Sequence, residues 1–277
     1  AHGVYYMGIP DLAVGPIYTS LYDAVCVMFA DVFPDDSGVG LKQANRAPLS
    51  TEEVAEMVNM LMISDQASLF EQITTHLRAG KSVRSIGDVI QIGAAELILR
   101  CIEPRRFTDG QHAFDYCNTV NDWFRTSDNP YQPRVLYLMA NFVNDAARSN
   151  SLFEPVINQE MSAYNFSSLT GPALLEELDA AILALDIPRT TALAHSYLQS
   201  GADRSAYFSS VAVTACKFQN DPHNQKITHS AFEEYAHNST QFRDKLLLAA
   251  ARLLAGWVKM PGGRDCFARF ESDWSRH

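Results

Sequence analysis

The chain has 277 residues, 47% of them apolar and only 19% charged, so a large core is available and a disordered chain is excluded. The formal net charge of −10 sets a further limit. An acidic surface repels phosphate backbones and anionic headgroups, so neither nucleic acid nor a membrane surface is expected as a partner.

In chain order the pattern is helical almost throughout. The start, AHGVYY, lacks a Met, which points to processing or trimming, and it carries His2. PIYTSLYDAVCVMFADVF (16–33) spaces its apolar residues three and four apart, as an amphipathic helix does. A turn-rich loop follows. STEEVAEMVNMLM then opens on Ser50 and Glu53 at capping-box spacing. SDQASLFEQITTHLRAG is expected to stop at Gly80. SVRSIGDVIQIGAAELILRCIE (82–103) is apolar around most of its circumference and is expected to be central. TDGQHAFDYCNTVNDWF (108–124) and RVLYLMANFVNDAAR (134–148) follow. Beyond an irregular stretch come GPALLEELDAAILAL, PRTTALAHSYLQSG, DRSAYFSSVAVTACKFQ, NDPHNQKITHSAFEEYAHNS and STQFRDKLLLAAARLLAGWVKM, with Pro188 as a break between the first two. No segment alternates as a strand would, so the expected fold class is all-α.

One repeat is visible. HLRAGKSVRSIGDVIQIGAAELILR with QHAFDYCN parallels SYLQSGADRSAYFSSVAVTACKFQ with HSAFEEYAHN, aligning Gly80 with Gly201 and Ala113-Phe114 with Ala231-Phe232. Two related multi-helix units packed as one bundle are therefore expected. The division runs as N-terminal helices 1–63, a first unit 64–150, a connector 151–169, a second unit 170–260 and a tail helix 261–277. Bundles of this kind build ligand and metal sites from side chains on facing helices.

The five cysteines, Cys26, Cys101, Cys117, Cys216 and Cys266, form no CxxC pair, so no zinc ribbon is expected. Four lie in apolar helical stretches, as buried thiols do, and a reduced, cytoplasmic protein is the expectation. No apolar run reaches the roughly 18 residues of a membrane span. With no GxGxxG and no P-loop, no nucleotide cofactor is expected.

Candidate chemistry centres on histidine. His229, Glu233 and His237 share a helix face, and Glu234 with His237 has the E-x-x-H spacing of di-iron bundles. A di-iron site needs two such pairs, and the chain has one. The plainer expectation puts Glu234 and His237 on a polar outer face. His112, Asp115 and Asn118 stand about a turn apart: His112 as a ligand or acid/base, with Asp115 to orient it. His223 follows Asp221 and Pro222 at an expected helix start. His76 and His195 are expected to be simple surface residues of equivalent helices.

QHAFDYCNTVNDWFR, SYLQSGADRSAYFSSVAVTACKFQNDPHNQ and LLLAAARLLAGW resemble a large helical domain of bacterial proteins that also carry a Rieske-type 2Fe–2S domain. AHGVYY is similar to the Gly-His-containing stretch that begins that domain's middle section. His2, His112, Asn118 and His223 fall on polar positions of the pattern, while CIEPRRFTDG holds arginines where the pattern often has a histidine. The resemblance implies a context of iron–sulfur electron transfer. This chain lacks the Cys/His pairs that bind a Rieske cluster, so such a donor would sit on another chain.

Three functions follow as expectations. The first is an oxidoreductase whose mononuclear iron is held by His2, His112, His223 and His229, with His112, Asp115 and Asn118 as catalytic residues. A separate Rieske-type protein would supply its electrons. The second is a non-catalytic helical scaffold or docking subunit. The third is a metal-free helical protein that binds an apolar small molecule. Self-association is left open.

Overall fold

A computed structural model describes residues 15–34, 40–102, 107–155, 161–218 and 222–256, with Ser272 and Trp274. Among the described residues there are twelve helices: α1 (Gly15–Val32), α2 (Leu41–Ala44), α3 (Thr51–Ile63), α4 (Gln66–Arg78), α5 (Val83–Arg100), α6 (Phe107–Thr126), α7 (Gln132–Ser149), α8 (Gly171–Leu183), α9 (Ile187–Gln199), α10 (Arg204–Cys216), α11 (Pro222–His237) and α12 (Asp244–Gly256). No strand accompanies them; Ala47 and Lys81 make one isolated parallel bridge. The protein is all-α.

Local chemistry sets the helix ends. The capping box forms as the spacing predicts: the Glu53 amide donates to Ser50 Oγ at 3.2 Å, and the Ser50 amide donates to Glu53 Oε2 at 2.6 Å. The Asp65 carboxylate caps α4 by accepting from the Ser68 amide at 2.9 Å. α4 ends at Gly80, whose φ of 78° allows the Gly80 amide to reach the Leu77 carbonyl and the Lys81 amide to reach that of His76. Two donors thus satisfy carbonyls that the helix leaves open. A left-handed glycine also follows α9, Gly201 with φ 71°, and there the Ala202 amide donates to the Ser200 hydroxyl at 3.3 Å. Asp186 caps α9, so the chain breaks between α8 and α9 where Pro188 predicts a break.

The described helices divide into two compact units, and the division is not contiguous in sequence. Of the described residues, the first holds those up to Leu97, then His112–Phe153 and Asn238–Arg243; the second holds those within Ile98–Gln111 and Glu154–His237 and those from Asp244 on. α5, buried from Ser85 to Arg100, crosses this division within its last turn.

In the first unit α7 packs against α1, α3 and α4. The α5 backbone comes close to its neighbours at two glycines. A Cβ at Gly87 would lie 2.6 Å from Asn121 Oδ1, and one at Gly93 would lie 2.6 Å from a Leu61 methyl. In the second unit α12, buried from Leu246 to Gly256, packs against α8, α9 and α11, while α10 packs against α8 and α11. Phe107 lies over Gly256, where a Cβ would meet its ring at 2.5 Å.

Candidate functional site

The first unit carries the polar face predicted on α6. His112 is half-buried, while Asp115 and Asn118 are buried. Each stands three positions after the one before, so their side chains are neighbours along the helix. Asp88 and Glu96 on α5 are also buried, which makes three carboxylates with less than a tenth of their surface exposed in this unit. Burying a carboxylate is costly unless it is hydrogen-bonded. Asp88 meets this with Oδ2, which accepts from the Ser239 amide at 2.9 Å and from its hydroxyl at 2.6 Å. The Asn238 amide group donates to the Asp88 carbonyl at 2.9 Å, so the 238–243 segment is clipped to α5. Burial raises the Asp88 carboxyl above the ordinary carboxylate value, and the two Ser239 donors oppose that rise. Glu96, His112, Asp115 and Asn118 are each engaged with partners as well.

The second unit carries His223 and His229 on α11. His223 is half-buried and His229 exposed. Six residues advance a helix by roughly 9 Å and turn it by about 240°, so the two imidazoles leave α11 on different sides and one ion would take only one of them. His2 lies outside the described residues. Among the described residues, no three or more of His, Cys, Asp and Glu come together as a metal-binding group.

Several expectations change. Glu234 does not stand with His237 on an outer face: it is fully buried and engaged, while His237 is exposed. Three residues turn a helix by 300°, and that 60° offset is enough to separate a covered position from an open one at the edge of an interface. His76 is buried, not a surface residue, and its Nε2 lies 3.2 Å from Gln72 Nε2. The amide nitrogen must donate there, so Nε2 is the unprotonated ring nitrogen. Burial holds His76 below the usual imidazole value, and burial does the same to half-buried His195. Of the thiols, Cys101 and Cys117 are buried as expected, whereas Cys216 is exposed and Cys26 half-buried. Cys266 lies outside the described residues.

Sequence reasoning passed over Arg252. It is fully buried in the second unit. Its Nε donates to the Ile98 carbonyl at 3.2 Å, its Nη2 to the Cys101 carbonyl at 2.6 Å and its Nη1 to Thr191 Oγ1 at 2.8 Å. The available signal was an arginine within LLLAAARLLAG, a charge in the middle of an otherwise apolar helix.

No protein-family model, curated protein or solved structure matches this chain.

Proposed function

We propose that the chain is a non-catalytic helical scaffold, a subunit that holds partners in a larger assembly. One observation carries this reading: buried polar side chains in both units end on backbone carbonyls. Gln91 donates to Phe114, Asn144 to Leu61 and Ser64, Asn45 to Leu77, Tyr207 to Leu247, and Arg252 to Ile98 and Cys101. Groups used in this way fix helices against one another and against loops. A catalytic group instead faces an open position where a reacting atom can sit.

Internal duplication belongs to the same reading. α3 and α8 have 13 residues each, as do α4 and α9. A left-handed glycine closes α4 and α9, and the Ala-Phe pair recurs on α6 and α11. The closing helix packs on the first two in each set: α7 on α3 and α4, and α12 on α8 and α9. A repeated unit enlarges a rigid surface without new folding rules, which suits a scaffold.

The iron-dependent oxidoreductase fed by a Rieske-type partner is the second reading. Half-buried His112 one turn from buried Asp115 favours it, since an imidazole ligand is commonly oriented by a carboxylate.

Elemental analysis of chain purified anaerobically, with His112→Ala and His223→Ala beside it, separates the two. The scaffold reading expects far less than one metal per chain and recovery from its own cells in a complex of fixed stoichiometry. Stoichiometric iron that either substitution removes overturns it in favour of the oxidoreductase.

A further inference from the structure

Where α1 meets α7 in the first unit, a thiol, a guanidinium and a phenol stand together. Arg134 Nη1 donates to Cys26 Sγ at 3.7 Å. Two rings hold the guanidinium in place: its carbon lies 5.3 Å from the Phe29 centroid and 4.8 Å from that of Tyr131. No carboxylate pairs with Arg134 among the described residues, and its Nε is buried with no acceptor there. A partly buried cation left in this state calls for an anion, and the neighbour it addresses is a sulfur. Tyr22 belongs to the same cluster: burial first, then the Cys26 sulfur, raises its hydroxyl, and Arg134 opposes the rise.

We propose that Cys26 is a reactive thiol, a site of oxidation by small hydroperoxides, with Arg134 setting up its sulfur as the nucleophile. An electropositive, partly exposed setting is where reactive cysteines are found, and half-burial still admits a small neutral peroxide. The sulfur attacks the distal peroxide oxygen, and the S–O bond forms as the O–O bond breaks. Sulfur is oxidised to the sulfenic acid and the peroxide is reduced. The departing hydroxide or alkoxide takes its proton from water.

Cys216, exposed on α10, is an internal reference. A brief pulse of iodoacetamide on the intact chain, read by peptide mass spectrometry, should alkylate Cys26 several-fold faster than Cys216 despite its lower exposure. After hydrogen peroxide, dimedone should mark Cys26 first. Arg134→Gln should slow Cys26 about tenfold and leave Cys216 unchanged. The proposal fails if Cys26 in the native chain is no faster than Cys216, or if Arg134→Gln leaves its rate intact. Labelling of buried Cys101 and Cys117 would show that Arg134→Gln has unfolded. Arg134→Lys, which keeps the charge, then decides: Cys26 should keep its lead over Cys216, and loss of that lead overturns the proposal.

Discussion

Leu185 and Ser151 have φ of 60° and 55°, in the left-handed region where a side chain costs free energy. Both follow the ends of helices. The Leu185 amide reaches the Ile182 carbonyl and the Asp186 amide that of Ala181; Ser151 and Leu152 do the same with Arg148 and Ala147. These are the paired bonds that glycine makes after α4, here made by residues poorly suited to the position. Leu185→Gly and Ser151→Gly are each expected to stabilise the chain by about 0.5–1 kcal/mol, less than the full strain because glycine loses more freedom on folding. Urea midpoints at constant slope check this. Asp88 gives a second residue-scale expectation. Its folded value is raised, so its contribution to stability is complete below the unfolded carboxylate value of about 3.9 and is lost as pH rises through the folded value. Asp88→Asn keeps an acceptor for Ser239 without the charge. It should exceed the native chain in stability near pH 7, with the gap closing toward pH 4. Asp88→Ala leaves two donors unanswered and should cost about 1–3 kcal/mol.

Helices were legible where local chemistry decides them. The Ser50–Glu53 box, the stop at Gly80 and the break at Pro188 follow from backbone groups within a few residues, and the all-round apolar face of α5 announces its burial. What covers a given side chain is a long-range matter, and there the reading stopped. Glu234 and His76 look solvated by composition, yet both are buried. The candidate site was legible as a polar strip on α6, His112–Asp115–Asn118, but spacing alone could not say that two of its three members are buried. At the scale of elements, burial of a histidine on α4 and another on α9 has a consequence for pH. Both are held below the ordinary imidazole value, chiefly by desolvation. Groups shifted this way stabilise the fold above their unfolded value of about 6.5, and that contribution is lost as pH falls through the folded values. Thermal melts should therefore show stability declining between about pH 7.5 and 5.5. His76→Gln with His195→Gln should flatten that slope while leaving helicity at pH 7.5 intact. An unchanged slope would show that other groups set it.

At the scale of the molecule, each compact unit is assembled from three stretches of chain, and this fixes what can be cut away. The connector between α7 and α8 looks like the natural place to divide the protein. A fragment ending at Phe153 would lack Asn238–Arg243, and with it both donors on the buried Asp88 carboxylate. A fragment beginning at Glu154 would lack Ile98 and Cys101. Arg252, buried in α12, would then lose two of its three described acceptors, and Gly256 would lose the Phe107 ring packed against it. Stripping acceptors from a buried cation costs several kcal/mol, comparable to the whole net stability of a domain, so the second fragment is expected to be the worse of the two. Arg252→Leu in the intact chain isolates this cost. It removes the charge and, with it, the guanidinium donors to the Ile98 and Cys101 carbonyls and to Thr191 Oγ1, for an expected loss of about 2–4 kcal/mol. Circular dichroism and urea titration of the 154–277 fragment should find helix without a cooperative transition, while the intact chain unfolds cooperatively. A sharp transition in that fragment would mean that the stretch from Ile98 to Gln111 is dispensable to the unit, and that Arg252 finds acceptors without it.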